Sequence, residues 1–270
     1  MITASIVVFS NKNTYKSEEY KNSILSDCIS DLSNNKLIRK VLVIDNSFHP
    51  LFSWVAELST KVIYKHMGGE NLGYGKAHNL ARKYLDLDKY HIIVNPDIKF
   101  IDKEVIEKLF QILEKNVSYS MLQPSIVSFP SGNIQKLCKR NPTLVIQILR
   151  GFFPFLIDKF LFLKKYNNWY EMSNIAYSSK FIKSQYLSGC FMFCRVDHLN
   201  KVGWFDERYF LYLEDADLTR MLSKIGNCVH NPNLKIGHLW AKGSHKNFKL
   251  RIIAIYSFFL YTLKWGIRIF

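Results

Sequence analysis

Several signatures that would settle a fold at once are missing from these 270 residues, and each absence removes a class. No G-x-G-x-x-G follows the first strand pattern, so a dehydrogenase-type dinucleotide fold has no fingerprint here. There is no G-x-x-x-x-G-K-[ST] either, which removes the P-loop nucleotidases. The five cysteines (Cys28, Cys138, Cys190, Cys194, Cys228) are odd in number and contain no C-x-x-C pair, so neither a zinc site nor a disulfide framework is indicated. Reduced thiols are the simpler expectation. No basic segment precedes Ala4 to Phe9, which reads as a strand rather than a signal peptide. The apolar run Ile252 to Leu263 is about half the length that crosses a bilayer. No internal repeat or low-complexity linker is visible, and acidic residues stop at Asp217.

What is present is basic, aromatic and unevenly arranged. The chain carries 37 Lys and Arg against 22 Asp and Glu, a formal charge of +15, and 15% of its residues are aromatic. A basic balance predicts anionic partners: nucleic acid, phosphorylated small molecules or an acidic membrane surface. The charge gathers toward the C-terminus, where Arg220, Lys224, Lys235, Lys242, Lys246, Lys249, Arg251, Lys264 and Arg268 meet no acidic residue. At this length the chain can hold one large domain or two intimate ones.

Strand and helix patterns alternate through the first half. Ser5 to Phe9 reads as a buried strand, Ser10 to Asn13 as a turn and Ser17 to Leu32 as a polar helix. Lys40 to Ser47, Val62 to Tyr64 and His91 to Asp97 are further strands, and Asp102 to Glu114 is a helix with Asp102 as its cap. Such alternation predicts a mostly parallel sheet flanked by helices, with ligands at the carboxyl ends of its strands. Three strand ends carry polar residues (Ser10-Asn11, Asp45-Asn46 and Asn95 to Asp97), which points to a nucleotide site. Asn71 to Ala81 is a glycine-containing loop entering a helix. Its glycines let backbone approach a ligand, its N–H groups can face phosphate, and Lys76 is a counter-charge. An ordinary glycine loop before a helix has the same spacing.

One stretch organises the rest. Tyr209 to Leu213 is an aromatic, apolar run that ends on Glu214, Asp215 and Asp217, after which Leu218, Met221, Leu222 and Ile225 recur at helical spacing. The pattern predicts a short buried strand or turn that delivers Glu214 and Asp215 to the mouth of a helix, where N–H groups favour negative charge. A helix cap needs only one carboxylate. Crowded acids beside aromatic residues have raised pKa values, which suit one of them to act as a base.

In order along the chain stand Asp45-Asn46-Ser47, Asn71-x-Gly73-Tyr74-Gly75-x-Ala77-x-Asn79 and Asn95-Pro96-Asp97. They are followed by Ser188-Gly189-Cys190-Phe191-Met192-x-x-Arg195, Val202-Gly203-Trp204-Phe205-Asp206-Glu207 and Phe210-x-x-x-Glu214-Asp215-x-Asp217-Leu218-x-x-Arg220. From the first strand to about Ser244 this resembles an inverting family-2 glycosyltransferase of the GT-A fold, in the subgroup of bacterial dTDP-rhamnosyltransferases. The resemblance implies an α/β, Rossmann-like GT-A architecture. Residues 1–115 would form the nucleotide-sugar-binding half, 116–248 the acceptor-binding and catalytic half, and 249–270 a basic, amphipathic, membrane-associating helical extension. Asn95-Pro96-Asp97 stands where many GT-A enzymes have Asp-x-Asp, a departure common in this subgroup.

The resemblance also implies a chemistry. Asp215 would be the base that deprotonates the acceptor hydroxyl, with Glu214 tuning it or contacting the acceptor. Asp97 and His238 would share a divalent ion, Mg2+ or Mn2+, opposite the leaving diphosphate. Ser5, Asp45, Asn71, Gly73, Gly75, Lys76, Asn79 and Asn95 are the expected donor contacts. Trp204, Asp206 and Glu207 are the expected acceptor contacts, and Asp217 and Arg220 are expected to hold the helix start. The donor implied is a nucleotide-diphosphate sugar, dTDP-rhamnose first, with UDP-galactofuranose or another hexose donor as the alternative. The acceptor implied is a lipid-linked oligosaccharide of bacterial O-antigen or capsule synthesis.

Two apolar stretches remain. Leu144 to Leu163 is interrupted by Arg150, Pro154 and Asp158, and Ile252 to Leu263 is flanked by Arg251, Lys264, Trp265 and Arg268. Basic and aromatic flanks suit docking on an anionic membrane surface, which predicts a cytoplasmic protein on the inner face of the plasma membrane. Helices packed in the core or in a homodimer interface are the alternative. A rival of another class is a non-catalytic basic module for nucleic acid or membrane, which calls for aromatics interleaved with basic residues on one surface. Here the aromatics sit in apolar runs and the ordered carboxylates have no purpose in such a module, so no nucleic acid partner is expected.

Overall fold

The protein is described from a computed structural model over residues 1–10, 18–177, 180–239 and 248–270, without the side chains of residues 18–22. The expectations on Asn11, Asn13 and Ser17, and on Lys242, Ser244 and Lys246, lie outside the described residues. Among the described residues the strands are β1 (Ile2–Val8), β2 (Ile38–Asp45), β3 (Val62–His66), β4 (Tyr90–Val94), β5 (Ile98–Lys99) and β6 (Tyr119–Ser128). They continue with β7 (Cys138–Lys139), β8 (Ile182–Lys183), β9 (Tyr186–Leu187), β10 (Phe191–Arg195) and β11 (Asn227–His238). The helices are α1 (Glu18–Asn34), α2 (Tyr74–Asn79), α3 (Val105–Lys115), α4 (Leu144–Phe152), α5 (Pro154–Lys159), α6 (Leu161–Tyr170), α7 (Val196–Val202), α8 (Glu214–Leu222) and α9 (Phe248–Trp265).

β1 shows why the sheet forms. Ile2, Ala4, Ile6 and Val8 alternate onto one face, where they join a core with Leu25, Ile29 and Leu32 of α1 and Val105, Leu109 and Leu113 of α3. The helix residues recur every three or four positions, so each helix presents one apolar stripe. Ile44, Ile93 and Met192 form the other face with Ala77, Leu199, Leu218 and Leu222 of α2, α7 and α8. The central sheet has the order β3-β2-β1-β4-β10-β6-β11-β5, with β8 also against β11. β3, β2, β1 and β4 run parallel, β10 pairs antiparallel with β4 and β6, and β6 pairs parallel with β11. The 1–115 and 116–248 segments therefore share one sheet, closed by β5 against β11.

Asp102 does not cap α3. Its carboxylate accepts from Glu104 N, and the helix begins at Val105. The stretch from Leu144 breaks where its sequence is interrupted, with Pro154 opening α5. Phe152, Phe153, Phe155, Phe160, Leu161 and Phe162 of this region are exposed. α9 buries Ser257, Leu260 and Tyr261, and its apolar contacts are Tyr186, Tyr209, Leu213 and Ala216. Ile252, Ile255, Phe259 and Leu263 of the same helix stay exposed. No helix of the described residues is long and apolar enough to cross a membrane.

Candidate active site

The site is built at the start of α8. Tyr212 and Leu213 hold φ of +72° and +64°, a left-handed region that non-glycine residues seldom occupy and that collects at functional sites. This turn sends the next two acids different ways. Glu214 is buried, 4% exposed, whereas Asp215 is partly open. Asp215 Oδ2 accepts from Gly189 N at 2.9 Å and Oδ1 from Ala216 N at 2.9 Å, and Tyr186 nearby favours the charged carboxylate. Burial raises the Asp215 pKa above the ordinary carboxylate range, while the Gly189 N–H and the Lys139 charge hold it back. Glu214 is pushed much higher, by burial first and then by the charge of Asp215. Its Oε2 is buried with no partner among the described residues. Of the two acids, Glu214 therefore holds its proton more tightly than Asp215. Burial removes the reading in which Glu214 contacts the acceptor.

Asp97 and His238 meet as the sequence suggested, with Nε2 3.2 Å from Asp97 Oδ1. His238 Nδ1 lies 2.9 Å from Gln135 Oε1, and an amide oxygen can only accept. Nδ1 therefore carries a proton, and Nε2 is the ring nitrogen that faces Asp97 and could offer a lone pair to an ion. Two lone-pair donors about 3 Å apart suit adjacent positions on one ion with ligands at about 2.1 Å. Asn95 belongs to the same corner, with Nδ2 3.5 Å from His238 Nε2. Among the described residues no three His, Cys, Asp or Glu cluster as a metal cage. A pair of protein ligands fits an ion that completes its shell with water and substrate phosphate.

Several expected contacts turn out to be structural. Ser5 is fully buried, its hydroxyl 2.7 Å from His78 Nδ1 and 2.8 Å from His91 Nε2, so it cannot reach a donor. Asp45 is also fully buried, accepting from Ser47 N at 2.8 Å and from the Tyr64 hydroxyl at 2.7 Å. Gly73 and Gly75 are glycines because protein, not ligand, comes close. A Cβ on Gly73 (φ +79°) would lie 2.2 Å from the Phe210 carbonyl oxygen, and one on Gly75 would lie 2.8 Å from Phe205 Cβ. Asn79 is buried, donating to Phe205 O at 2.9 Å and accepting from Phe205 N at 3.1 Å. Asn71, Lys76 and Asn95 stay partly exposed.

The expected acceptor contacts shift as well. Trp204 is 3% exposed and its indole N–H donates to Asn200 Oδ1 at 2.8 Å. Asp206 is gripped by Arg208 at 2.6 Å and by Lys264 at 3.2 Å, and Arg208 holds its carboxyl well below the usual range. Glu207 is exposed and accepts from Asn79 Nδ2 at 3.0 Å. Asp217 does not serve the start of α8: its carboxylate takes Lys264 at 2.8 Å and the Trp265 indole N–H at 2.6 Å. Arg220 donates to the Tyr261 hydroxyl at 3.2 Å and lies over the Trp265 ring at 4.2 Å. Both residues hold α9.

Four residues at the site had no assigned role from sequence. Tyr74 stood inside the glycine motif, and its hydroxyl donates to Gly189 O at 2.6 Å, 3.2 Å from Asn95 Oδ1. Gln135, Lys139 and Tyr186 reach the site through long-range packing that no local pattern marks. Cys190 ties the two acidic corners together: burial pushes its thiol up to about 12, and the charges of Asp97 and Asp215 both add to the shift.

No known family model matches the chain. It is similar to the N-acetylglucosaminyl-diphospho-decaprenol L-rhamnosyltransferase of Mycobacterium tuberculosis, at 28% identity over 181 residues, 63% of this chain and 56% of that protein. The chain thus spans little more than half the length of this relative. It is similar also to rhamnosyltransferase WbbL of Escherichia coli, at 24% identity over 223 residues, 79% of this chain and 75% of the relative. Among solved structures, the mannosyltransferase PcManGT of Pyrobaculum calidifontis, in complex with GDP-Man and Mn2+, has a TM-score of 0.58 at 13% identity, covering 97% of this chain and 64% of that one. S. aureus TarS 1-349 has a TM-score of 0.54 at 15% identity, covering 88% and 60%. The chain is similar in sequence to proteins named rhamnosyltransferases, and its fold is GT-A. In this GT-A chain Tyr74 links the two corners: its hydroxyl meets the Gly189 carbonyl, whose residue donates to Asp215, and Asn95, which adjoins His238.

Proposed function

We propose that the chain is an inverting glycosyltransferase. It transfers a sugar, L-rhamnose from dTDP-rhamnose in the first instance, to a lipid-linked glycan of bacterial cell-surface polysaccharide synthesis. The observation that carries this reading is Asp215, a partly open carboxylate whose pKa is raised by burial and which two backbone N–H groups fix in place. The names of both curated relatives support rhamnose, and the mycobacterial one supports a diphosphate-linked lipid acceptor. Asp215 accepts the proton of the acceptor hydroxyl as that oxygen bonds to the anomeric carbon. The bond from that carbon to the diphosphate oxygen breaks on the opposite face, and its electron pair leaves with the nucleoside diphosphate. Glu214, kept neutral, spares the crevice a second negative charge. A divalent cation held by Asp97 and His238 would supply the counter-charge for the diphosphate.

The membrane belongs to the same proposal. Leu144 N and Val145 N donate to Arg268 O and Ile269 O, and Tyr166 meets Phe270 edge-on, so α4–α6 and the C-terminal segment adjoin. Their exposed Phe155, Phe162, Phe259 and Leu263, with Lys159, Lys164, Lys165, Lys249, Arg251 and Arg268 nearby in sequence, match an anionic inner leaflet in chemistry. The test is a panel of nucleotide sugars offered with Mn2+ and a lipid-diphosphate-linked acceptor, read by mass spectrometry. Rhamnose added to the acceptor is the expected product. The absence of both transfer and hydrolysis with every donor would remove the enzyme reading.

A further inference from the structure

We propose that Lys139 binds the diphosphate of the lipid-linked acceptor and so selects acceptors that carry anionic phosphate beside the receiving sugar. This deepens the glycosyl-transfer reading and rests on it. β7 and β9 pair with Lys139 opposite Tyr186, and the Lys139 ammonium lies 4.9 Å from the Tyr186 ring centroid. Tyr186 opens the segment in which Gly189 N donates to Asp215 at 2.9 Å, and the Lys139 charge acts on that carboxylate. The cation is thus held one aromatic side chain away from the base.

Its neighbours already have partners. Arg150 donates to Glu171 at 2.6 Å and to Asn167 at 2.8 Å, and Arg140 donates to Trp169 O at 3.2 Å with its guanidinium 4.7 Å from the Trp169 ring. Lys139 has its ring contact but no side-chain hydrogen bond or ion pair among the described residues. A half-buried ammonium without a counter-ion is costly to fold. Burial, then Arg150, lowers its pKa to about 8, which leaves it cationic at neutral pH. An anion beside it would offset both effects. The donor diphosphate has its own corner at Asp97 and His238, whereas the charges acting most strongly on Lys139 are Arg150, Asp215 and Glu171. Four residues beyond Lys139, Thr143 caps α4, the first of the helices with exposed phenylalanines. Base, cation and apolar surface follow one another as sugar, diphosphate and lipid do in such an acceptor.

Equilibrium binding of two probes, farnesyl diphosphate and farnesol, to the full chain tests this without turnover. Saturating dTDP and Mn2+ keep the donor corner filled. Wild type should bind farnesyl diphosphate under these conditions. Lys139→Met should weaken that binding by roughly ten- to a hundred-fold, the range for a lost charged hydrogen bond, and Lys139→Arg should keep most of it. Farnesol should bind both proteins alike. Displacement of farnesyl diphosphate by dTDP, or undiminished binding to Lys139→Met, would overturn the assignment. Equal losses for both probes would overturn it too, because Lys139 would then shape the cleft instead of reading phosphate. The transfer reading fails separately, by absent turnover of every nucleotide sugar.

Discussion

Replacing Asp215 with Asn separates chemistry from binding, because the substitution changes one proton-accepting atom and little else. Both carboxylate oxygens accept a backbone N–H, from Gly189 and from Ala216, each at 2.9 Å. An amide has a single acceptor oxygen, so one of those N–H groups would face an NH2, at a cost of about 1–3 kcal/mol. Against that, the variant no longer buries a charge. The folded pKa of Asp215 is raised, so its contribution to stability is present below its unfolded pKa and is lost as pH rises through the folded one. At neutral pH the two effects oppose each other, and a net change within about 2 kcal/mol is expected. Affinity for dTDP, measured by calorimetry, should hardly move. Transfer in single-turnover assays should fall by about two to four orders of magnitude, the usual contribution of a general base. Wild-type activity should fall on acidification, along a limb set above the ordinary carboxylate range, and the variant should lack that limb. Near-normal transfer by Asp215→Asn, with transfer lost in Glu214→Gln, would refute the assignment and move the base to the other acid.

EDTA should abolish transfer, Mn2+ or Mg2+ should restore it, and Asp97→Ala should weaken dTDP binding only when metal is present; full activity in chelator would contradict the ion pocket. Gly73→Ala drives a Cβ to 2.2 Å from the Phe210 carbonyl at φ +79°, and should destabilise the fold by about 3 kcal/mol or more in thermal denaturation. A loss below about 1 kcal/mol would mean that the loop yields easily. Phe155→Ser combined with Phe162→Ser should reduce sedimentation with anionic liposomes, and wild-type binding should fall as salt rises, since each basic residue near such a surface contributes about 1 kcal/mol. Lys264→Met should cost about 3–5 kcal/mol in urea unfolding at pH 7, because it strands the buried Asp217, and the gap should narrow at lower pH as that acid protonates. Equal stability at pH 7 would show that Trp265 alone satisfies Asp217.

β1 to β4 were legible because each is a short apolar run, and their parallel pairing follows from alternation with helices. The antiparallel setting of β10 was not, since a strand's direction depends on how its connections cross the sheet, which no local pattern records. At the site, Asp97, His238, Asp215 and Glu214 were named by motif, and the structure sets Asp97 against His238 and Asp215 against Gly189. The glycine loop was found for a different reason than the one that operates. Gly73 and Gly75 were read as clearance for a ligand, whereas the space they leave is filled by Phe210 backbone and the Phe205 side chain. Only three-dimensional packing tells those two uses of glycine apart. Asp45 at the end of β2 and Asn79 at the end of α2 accept backbone N–H groups before any ligand is considered, and mid-strand Ser5 meets two buried histidines. Asp206 and Asp217 escaped for an electrostatic reason. A sequence with an all-basic tail shows that acids elsewhere must balance it, but not which lysine comes back to which acid.

That returning lysine joins the two parts of the proposed function. Lys264 lies between Asp206 and Asp217, Trp265 donates to Asp217, Arg220 meets Tyr261, and the Ser257 hydroxyl donates to Leu211 O at 2.7 Å. These contacts fall on both sides of the strained Tyr212–Leu213 turn that aims Asp215. Left-handed backbone at two successive non-glycine residues costs of order 1–3 kcal/mol each and persists only where surrounding contacts fix it. α9 supplies those contacts from one side and presents Ile252, Ile255, Phe259 and Leu263 to solvent on the other. A membrane that covers the open side would press no new group into the crevice. It would favour the helix position in which the turn is held, so docking and alignment of the base draw on one element and are coupled without any contact between lipid and Asp215.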